Sequence, residues 1–360
     1  MKRKKGIKMI SCIVLLGIVI LVMIILPPST GKSKPFLDNN ENILKGSISE
    51  KCYLKANDTT LGMFIMAKDE TKPVLLICGG GPGIPEYLLE QFYPTGLENE
   101  FVVCYLEYRG TGLSYDSSID PDTVTTEQYV EDIIAVTNYL RERFKQKKLY
   151  LLGHSYGTSV GIKAAQKNPE LYHAYIAMSQ MCNQPESEKR AYEYMKEQYS
   201  LAGNTKMVKQ FENYEQYKSN LILRDKAMHD LGVGTTRDMN SIITGLVLPS
   251  LRCKAYSPLE RINIWRGKIS SNRFKAEMDK FNFNAFEEVP SMDIPIYFLA
   301  GVNDYTCCYS LQKEYYEYIK APVKKFYSFD YSAHSPLFEE SDKAISILKE
   351  DVLNSLGYSK

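Results

Sequence analysis

The chain has 360 residues, 44 % of them hydrophobic and 24 % charged, with 44 Lys and Arg against 43 Asp and Glu for a formal net charge of +1. That mixture is globular and excludes collagen, coiled coil and wholesale disorder, and the near-neutral balance carries no electrostatic footprint for nucleic acid. At ~100–200 residues per domain, the length holds one large domain or two ordinary ones.

The charge is unevenly placed. Lys2, Arg3, Lys4, Lys5 and Lys8 precede position 30 with no acidic residue among them, which leaves 39 basic against 43 acidic residues in the remainder. The basic cluster abuts Met9–Leu26, an uncharged apolar run. Those 18 residues would span about 27 Å as a helix, close to a ~30 Å hydrocarbon core. The positive-inside bias puts residues 1–8 in the cytoplasm, residues 9–26 across the membrane and the remainder outside. A cleaved signal peptide is the competing reading, with the protein then secreted. Its apolar region is normally ~7–15 residues and is followed by a small-residue cleavage site. Here the run stays bulky to its end and stops at Pro27-Pro28. A buried core helix would not need the basic flank. Residues 27–49 are polar and rich in Pro, Ser, Gly and Asn, and read as a tether.

Cys12 falls inside the apolar run and seven cysteines follow it, an odd number that cannot all pair internally. Cys78 and Cys104 lie in apolar strand-like runs, where a free thiol behaves as a small hydrophobe. No C-x-x-C is present, and no zinc spacing with the four histidines, so no metal, cofactor or disulfide framework is expected.

Beyond residue 50, short apolar runs alternate with helical patterns. Cys52–Asn57 and Leu61–Lys68 read as a hairpin around Asp58-Thr59-Thr60. Strands follow at Pro73–Cys78, Phe101–Tyr108, Lys148–Gly153, Tyr172–Ser179, Ile294–Ala300 and Lys325–Phe329. Thr125-Thr126-Glu127-Gln128 fits a capping box before an apolar stripe at Val130, Ile133, Thr137 and Leu140. Further helices are expected over Ser155–Gln166 and Ser341–Leu356. Fully apolar strands alternating with helices imply an α/β fold, a mostly parallel sheet covered on both faces. Residues 184–289 break the rhythm. They are rich in Lys, Glu and Tyr and suggest helices over Glu186–Leu201, Lys206–Lys218 and Leu221–Leu231. They are too long for a loop and read as a helical cap inserted between two halves of one core, 50–183 and 290–360.

Three constellations carry chemistry. Gly153-His154-Ser155-Tyr156-Gly157 directly follows a strand and opens a helix. The G-x-S-x-G pattern in that context marks a sharp turn that exposes the Ser155 hydroxyl beside free helix N–H groups. Cys78-Gly79-Gly80-Gly81-Pro82-Gly83 ends another strand. It could cradle phosphate, but no G-K-[ST] follows. Beside a serine nucleophile it serves better as an oxyanion hole, one N–H from this loop and one from Tyr156. The third is the pair that must activate the serine. His154 lies within the turn and should point away from Ser155, His173 starts a strand, and His229 sits in a cap helix. His334 follows the last strand in a loop and is the base candidate. Asp304, after the preceding strand, fits the orienting carboxylate in Ser…Asp…His order, with Asp330 as its rival.

These residues resemble the α/β-hydrolase fold family and, within it, the proline iminopeptidase branch. That branch carries H-G-G-P-G and D-Q-R-G-x-G-x-S. Gly79-Gly80-Gly81-Pro82-Gly83 matches the first except at Gly79, where the family has His. Glu107-Tyr108-Arg109-Gly110-Thr111-Gly112-Leu113-Ser114 matches the second at Arg109, Gly110, Gly112 and Ser114, and departs at Glu107 and Tyr108. The nucleophile motif has His154 and Tyr156 where the branch more often has Gly and Trp. The resemblance implies that Ser155, Asp304 and His334 are catalytic. It implies Gly81 as an oxyanion donor and acidic cap residues that bind a substrate's free N-terminus. No motif chooses among cap acids such as Glu186, Glu193, Glu212 and Glu260. An aminopeptidase for small peptides is therefore expected, with a carboxylesterase or lipase-like acyl hydrolase as the alternative and a non-catalytic binding protein as a third reading. The partners are a short peptide or small molecule and, through residues 9–26, a membrane. Trp265 could line a substrate pocket or pack between cap helices, and Leu231–Thr236 reads as a loop.

Overall fold

The structure, a computed structural model, describes residues 26–354. The apolar run therefore lies outside the described residues except for Leu26. Among the described residues no helix is long and apolar enough to cross a membrane.

Eight strands form one sheet in the order β1-β2-β4-β3-β5-β6-β7-β8. They are β1 (Ile48–Ala56), β2 (Thr59–Ala67), β3 (Val74–Cys78), β4 (Val102–Glu107), β5 (Leu149–His154), β6 (Tyr172–Met178), β7 (Ile296–Gly301) and β8 (Lys324–Phe329). The β1–β2 and β2–β4 pairs are antiparallel, and every pair from β4 to β8 is parallel. The buried centre follows from composition. Strands β3, β4, β5 and β7 have no exposed position, so both of their faces must be apolar. The β1–β2 hairpin closes tighter than its sequence suggests. Asn57 and Asp58 both take positive φ, 48° and 58°, a two-residue turn that suits strand twist, and Thr59 and Thr60 join β2.

Helices cover both faces. On one side lie α2 (Thr126–Phe144), α3 (Tyr156–Lys167) and α11 (Tyr309–Tyr318), through residues such as Ile133, Val160 and Tyr315. On the other lie α1 (Glu86–Phe92), α12 (Pro336–Glu339) and α13 (Ser341–Ile347), through Leu88, Leu337 and Ala344. Thr125 caps α2 by accepting the Gln128 N–H at 3.1 Å. The Gln128 side chain turns instead to Asp132, so only half of the capping box forms. The final helix passes into a π turn at Leu348–Leu353.

Between β6 and β7 the chain is helical: α4 (Gln184–Leu201), α5 (Thr205–Gln210), α6 (Tyr214–Ser219), α7 (Leu221–Asp230), α8 (Pro258–Ser271), α9 (Lys275–Asp279) and α10 (Ala285–Glu288). A π turn at Ile243–Val247 runs into a single turn at Leu248–Ser250. The helix expected over Lys206–Lys218 is two helices. Asn213 accepts the Gln216 N–H and starts α6 afresh, a use that Asn favours over helix interior. This region has its own apolar cluster, with Ala191, Met195, Phe211, Tyr217 and Met228 inside it. Much of its tyrosine goes there. Trp265 donates to Ser250 Oγ at 2.7 Å and packs between helical segments rather than at the cavity described below. The stretch read as a tether is not free-standing: Arg261 donates to the Pro27 carbonyl at 2.6 Å, Leu37 bridges Ile43, and β1 begins at Ile48.

Candidate active site

Ser155 stands between β5 and α3 with φ 56° and ψ −124°, a conformation a side chain rarely adopts and one held only where its surroundings over-determine it. The two glycines of the motif explain how. A Cβ on Gly157 would sit 1.9 Å from the Cys78 carbonyl oxygen, and one on Gly153 would sit 2.7 Å from the Gly157 carbonyl. The turn is therefore pressed against the end of β3, and only glycine fits at either flank. Gly80 approaches from the glycine-rich loop, where an added Cβ would lie 3.1 Å from Ser155 Cβ. Gly81 follows with φ 118° and a cis bond to Pro82.

His334 lies in the loop after β8. Its Nδ1 is 3.0 and 3.1 Å from the two carboxylate oxygens of Asp304, which has no solvent exposure. Asp304 also accepts N–H bonds from Thr306 and Cys307, each at 2.9 Å, and one from Gln312 at 3.2 Å. Asp330, the other carboxylate considered, uses its backbone carbonyl to accept from Asn303. Ser155, His334, Gly80, Gly81 and Tyr156 border one cavity of about 770 Å3.

The residues behind His334 form a network that the sequence did not disclose. The His334 carbonyl accepts from His154 Nε2 at 2.8 Å and from Ser179 Oγ at 2.9 Å. His154 Nδ1 is 2.7 Å from Glu86 Oε1. Burial opposes charge on His154, but the Glu86 carboxylate and the carbonyl outweigh it, and its pKa is raised. Glu86 lies where a His at position 79 would project, since a Cβ on Gly79 would meet the Glu86 side chain at 3.0 Å. Glu339 accepts the N–H groups of Ala333 and Ser335 on either side of His334. The loop of residues 234–237 buttresses the same segment, with Gly234 and Thr235 carbonyls accepting from His334 N and Ser335 Oγ, and Arg237 N donating to Glu339. Of these partners only His154 lies within a motif. His154 is legible in the serine motif, but its contacts are not.

The two departures from the second motif also have partners. Tyr108 donates to the Gly79 carbonyl at 3.0 Å and so holds the glycine-rich loop. Glu107, fully buried, accepts from Tyr256 at 2.6 Å and from Leu113 N at 2.6 Å. Burial raises its pKa to about 8 against those hydrogen bonds. Of the cap acids noted in the sequence, Glu186 pairs with Arg190 and Glu260 with Lys51, while Glu193 and Glu212 are exposed. The cap carboxylate that does border the cavity is Glu188, which accepts two bonds from Arg224 at 2.5 and 2.7 Å. Lys268 borders it too, donating to the Pro82 carbonyl at 3.0 Å. The seven cysteines from Cys52 onward are free and buried. Among the described residues no group of three His, Cys, Asp or Glu side chains is placed to hold a metal ion.

The sheet order, the strand–turn–helix at Ser155 and the helical insertion are those of an α/β-hydrolase, and comparison with known proteins agrees. Residues 90–240 match the serine aminopeptidase family S33. A probable aminopeptidase, YbaC, of Bacillus subtilis (strain 168) is 30 % identical over 301 residues, covering 82 % of this chain and 94 % of that protein. A proline iminopeptidase of Clostridium botulinum is 25 % identical over 287 residues, 78 % of this chain and 89 % of its own. Among solved structures, a proline iminopeptidase-related protein from Thermus thermophilus superposes with a TM-score of 0.57 at 19 % identity, covering 86 % of this chain and 98 % of that one. The chain belongs to the serine aminopeptidase S33 family of α/β-hydrolases and is a hydrolase.

Proposed function

We propose that the protein is a membrane-anchored serine hydrolase, an aminopeptidase of proline iminopeptidase type that acts on small peptides. One observation carries the chemistry: Ser155, at positive φ, and His334, backed by a carboxylate without solvent exposure, border the same cavity. In this reading Asp304 holds the imidazole by Nδ1–H, which leaves Nε2 free to act as base. Nε2 takes the Ser155 proton as Oγ attacks the substrate carbonyl. The oxyanion that forms is met by the Gly81 and Tyr156 N–H groups, the second at the start of α3. The tetrahedral intermediate collapses, His334 passes its proton to the leaving amine, and the acyl group remains on Ser155. Water, deprotonated by His334, attacks the ester in the same way, releasing the acid and restoring the hydroxyl. Loss of one oxyanion donor typically costs ~10²–10³ in kcat.

A specific observation also supports the ester reading. Both carboxylates that border the cavity are already engaged, Glu86 with His154 and Glu188 with Arg224. Lys268 makes no ion pair among the described residues. A substrate ammonium must therefore compete with Arg224, whereas a neutral or acidic acyl substrate need not. A prolyl-naphthylamide and a short-chain p-nitrophenyl ester, assayed side by side, separate the two. Turnover of the amide supports the aminopeptidase, and turnover of the ester alone overturns it. A fluorophosphonate probe should label the wild type and not Ser155→Ala. Failure to label the wild type would remove the serine mechanism altogether.

The anchor is residues 9–26, with the N-terminus cytoplasmic and the catalytic domain outside. It is supported by the apolar length and the basic flank, and flotation of the full chain with lipid vesicles tests it.

A further inference from the structure

Three features adjoin the start of α8, linked by the bonds of Ser29 to Lys254 and of Arg261 to Cys253. The first is the point where the chain enters the domain. Arg261 is fully buried with no carboxylate partner among the described residues. It donates instead to the carbonyls of Pro27, Leu251, Cys253 and Tyr256 at 2.6–3.0 Å. Ser29 Oγ bonds the Lys254 carbonyl, and an added Cβ on Gly31 would meet Ser257 N at 2.7 Å. Residues 27–31 are thus clamped to the start of α8, one residue after the apolar run ends.

The second feature is the outer face of α8. Leu259, Ile262 and Ile269 are 61 %, 43 % and 70 % exposed. With Arg266 they recur at helical spacing and share one side of the helix. The third is a cleft of about 650 Å3 lined by Lys34, Arg252 and Lys254 together with Phe92, Leu248 and Pro249, with no acidic residue in its wall. None of the three cations forms a salt bridge among the described residues.

We infer that this face docks on the bilayer that holds the anchor, with Leu259, Ile262 and Ile269 in the interface and the Lys34–Arg252–Lys254 cleft on the phosphate of an anionic phospholipid. The inference rests on the anchor reading of residues 9–26. Apolar side chains beside unpaired cations are what an anionic lipid surface attracts. A clamp at Pro27 leaves almost no slack between the end of a membrane helix and α8, so the face meets the surface at high effective concentration. A second copy fits less well, because a two-fold interface puts the same patch on itself and opposes like charges.

The test uses the full chain in vesicles of phosphatidylcholine, with and without phosphatidylglycerol. In a Trp265→Phe background, Ile269→Trp places a single tryptophan on the exposed stripe. Its emission should shift to the blue and be quenched by lipids brominated on the acyl chain, more strongly with phosphatidylglycerol. The extra quenching should vanish in Arg252→Glu/Lys254→Glu and persist in the presence of inorganic phosphate. Competition by inorganic phosphate would reassign the cleft to a soluble anion and overturn the headgroup assignment. A chain that floats with vesicles while residue 269 stays unquenched keeps its anchor and loses the docking face. A chain that does not float loses both. An unquenched residue 269 with a dimer in detergent that Leu259→Glu dissociates would make the face an interface between copies.

Discussion

At the residue scale, the arrangement around His334 is controlled from behind. Its carbonyl is held by His154 and Ser179, and His154 is held by Glu86. Both ring nitrogens of His154 face acceptors, so the Glu86–His154 pair keeps a proton between them. Removing the acid leaves a buried imidazole without its partner and frees the loop that carries the proposed base. A displacement of about 1 Å at a catalytic group can cost ~10²-fold in rate. Glu86→Ala is expected to lower kcat by roughly 10- to 100-fold with little change in KM. Glu86→Gln should recover part of it, because an amide can still bond a neutral ring. Steady-state kinetics on whichever substrate proves active checks this, and equal losses in both variants would count against a positioning role.

At the element scale, a buried ion pair reinforces the β2–β4 join between the antiparallel hairpin and the parallel sheet. Arg109, in the turn after β4, donates to Asp132 on α2 through Nε and Nη2 at 2.7 and 2.8 Å, and to the Asn57 carbonyl at the hairpin tip at 2.9 Å. Three elements meet there, which gives the R-G-x-G-x-S motif a structural task. Ser114 completes it, accepting from Gly62 N and donating to the Glu107 carbonyl. Removing one partner of a buried pair leaves an uncompensated charge and costs ~3–5 kcal/mol. Asp132→Ala should therefore lower the free energy of unfolding by about that amount, read from a denaturant titration. Asp132→Asn, which keeps the shape and part of the bonding, should lower it less.

At the scale of the whole molecule, Glu107 links the insertion to the sheet through Tyr256 and responds to pH. Its carboxyl rises from 4.5 to about 8 on folding because burial outweighs its two hydrogen bonds. Glu90, also buried, rises to about 7. A group whose folded pKa is raised binds its proton more tightly when folded. The folded state is thus favoured at the acid end of the window, and stability declines as pH climbs from about 5 to 8. Glu107→Gln, which keeps the Tyr256 contact without a charge to bury, should flatten that decline. Thermal unfolding at several pH values in wild type and variant measures it, and parallel curves would show that Glu107 does not carry the effect.

Local signals account for much of the molecule. Each central strand is a short, largely apolar run, because a strand buried on both faces admits a polar side chain only where a partner waits for it, as at Glu107 and His154. The Ser155 turn is legible because its glycines are within two residues of the serine, and Asp304 and His334 because each follows a strand in a known order. Boundaries failed where one side chain chose between local options, as at Asn213, which ended one helix to begin another. What the chain alone could not disclose are contacts between distant segments. Glu86 meets His154 across 68 positions and Arg261 meets Pro27 across 234. Glu188, rather than the more conspicuous cap acids, reaches the cavity. The sequence determined the sheet, the class of hydrolase and the candidates Ser155, Asp304 and His334, since those depend on patterns a few residues long. The tertiary structure alone decided which charges are paired, which carboxylates face the cavity and which face the chain enters by, since burial and partnership exist only once remote segments are packed together.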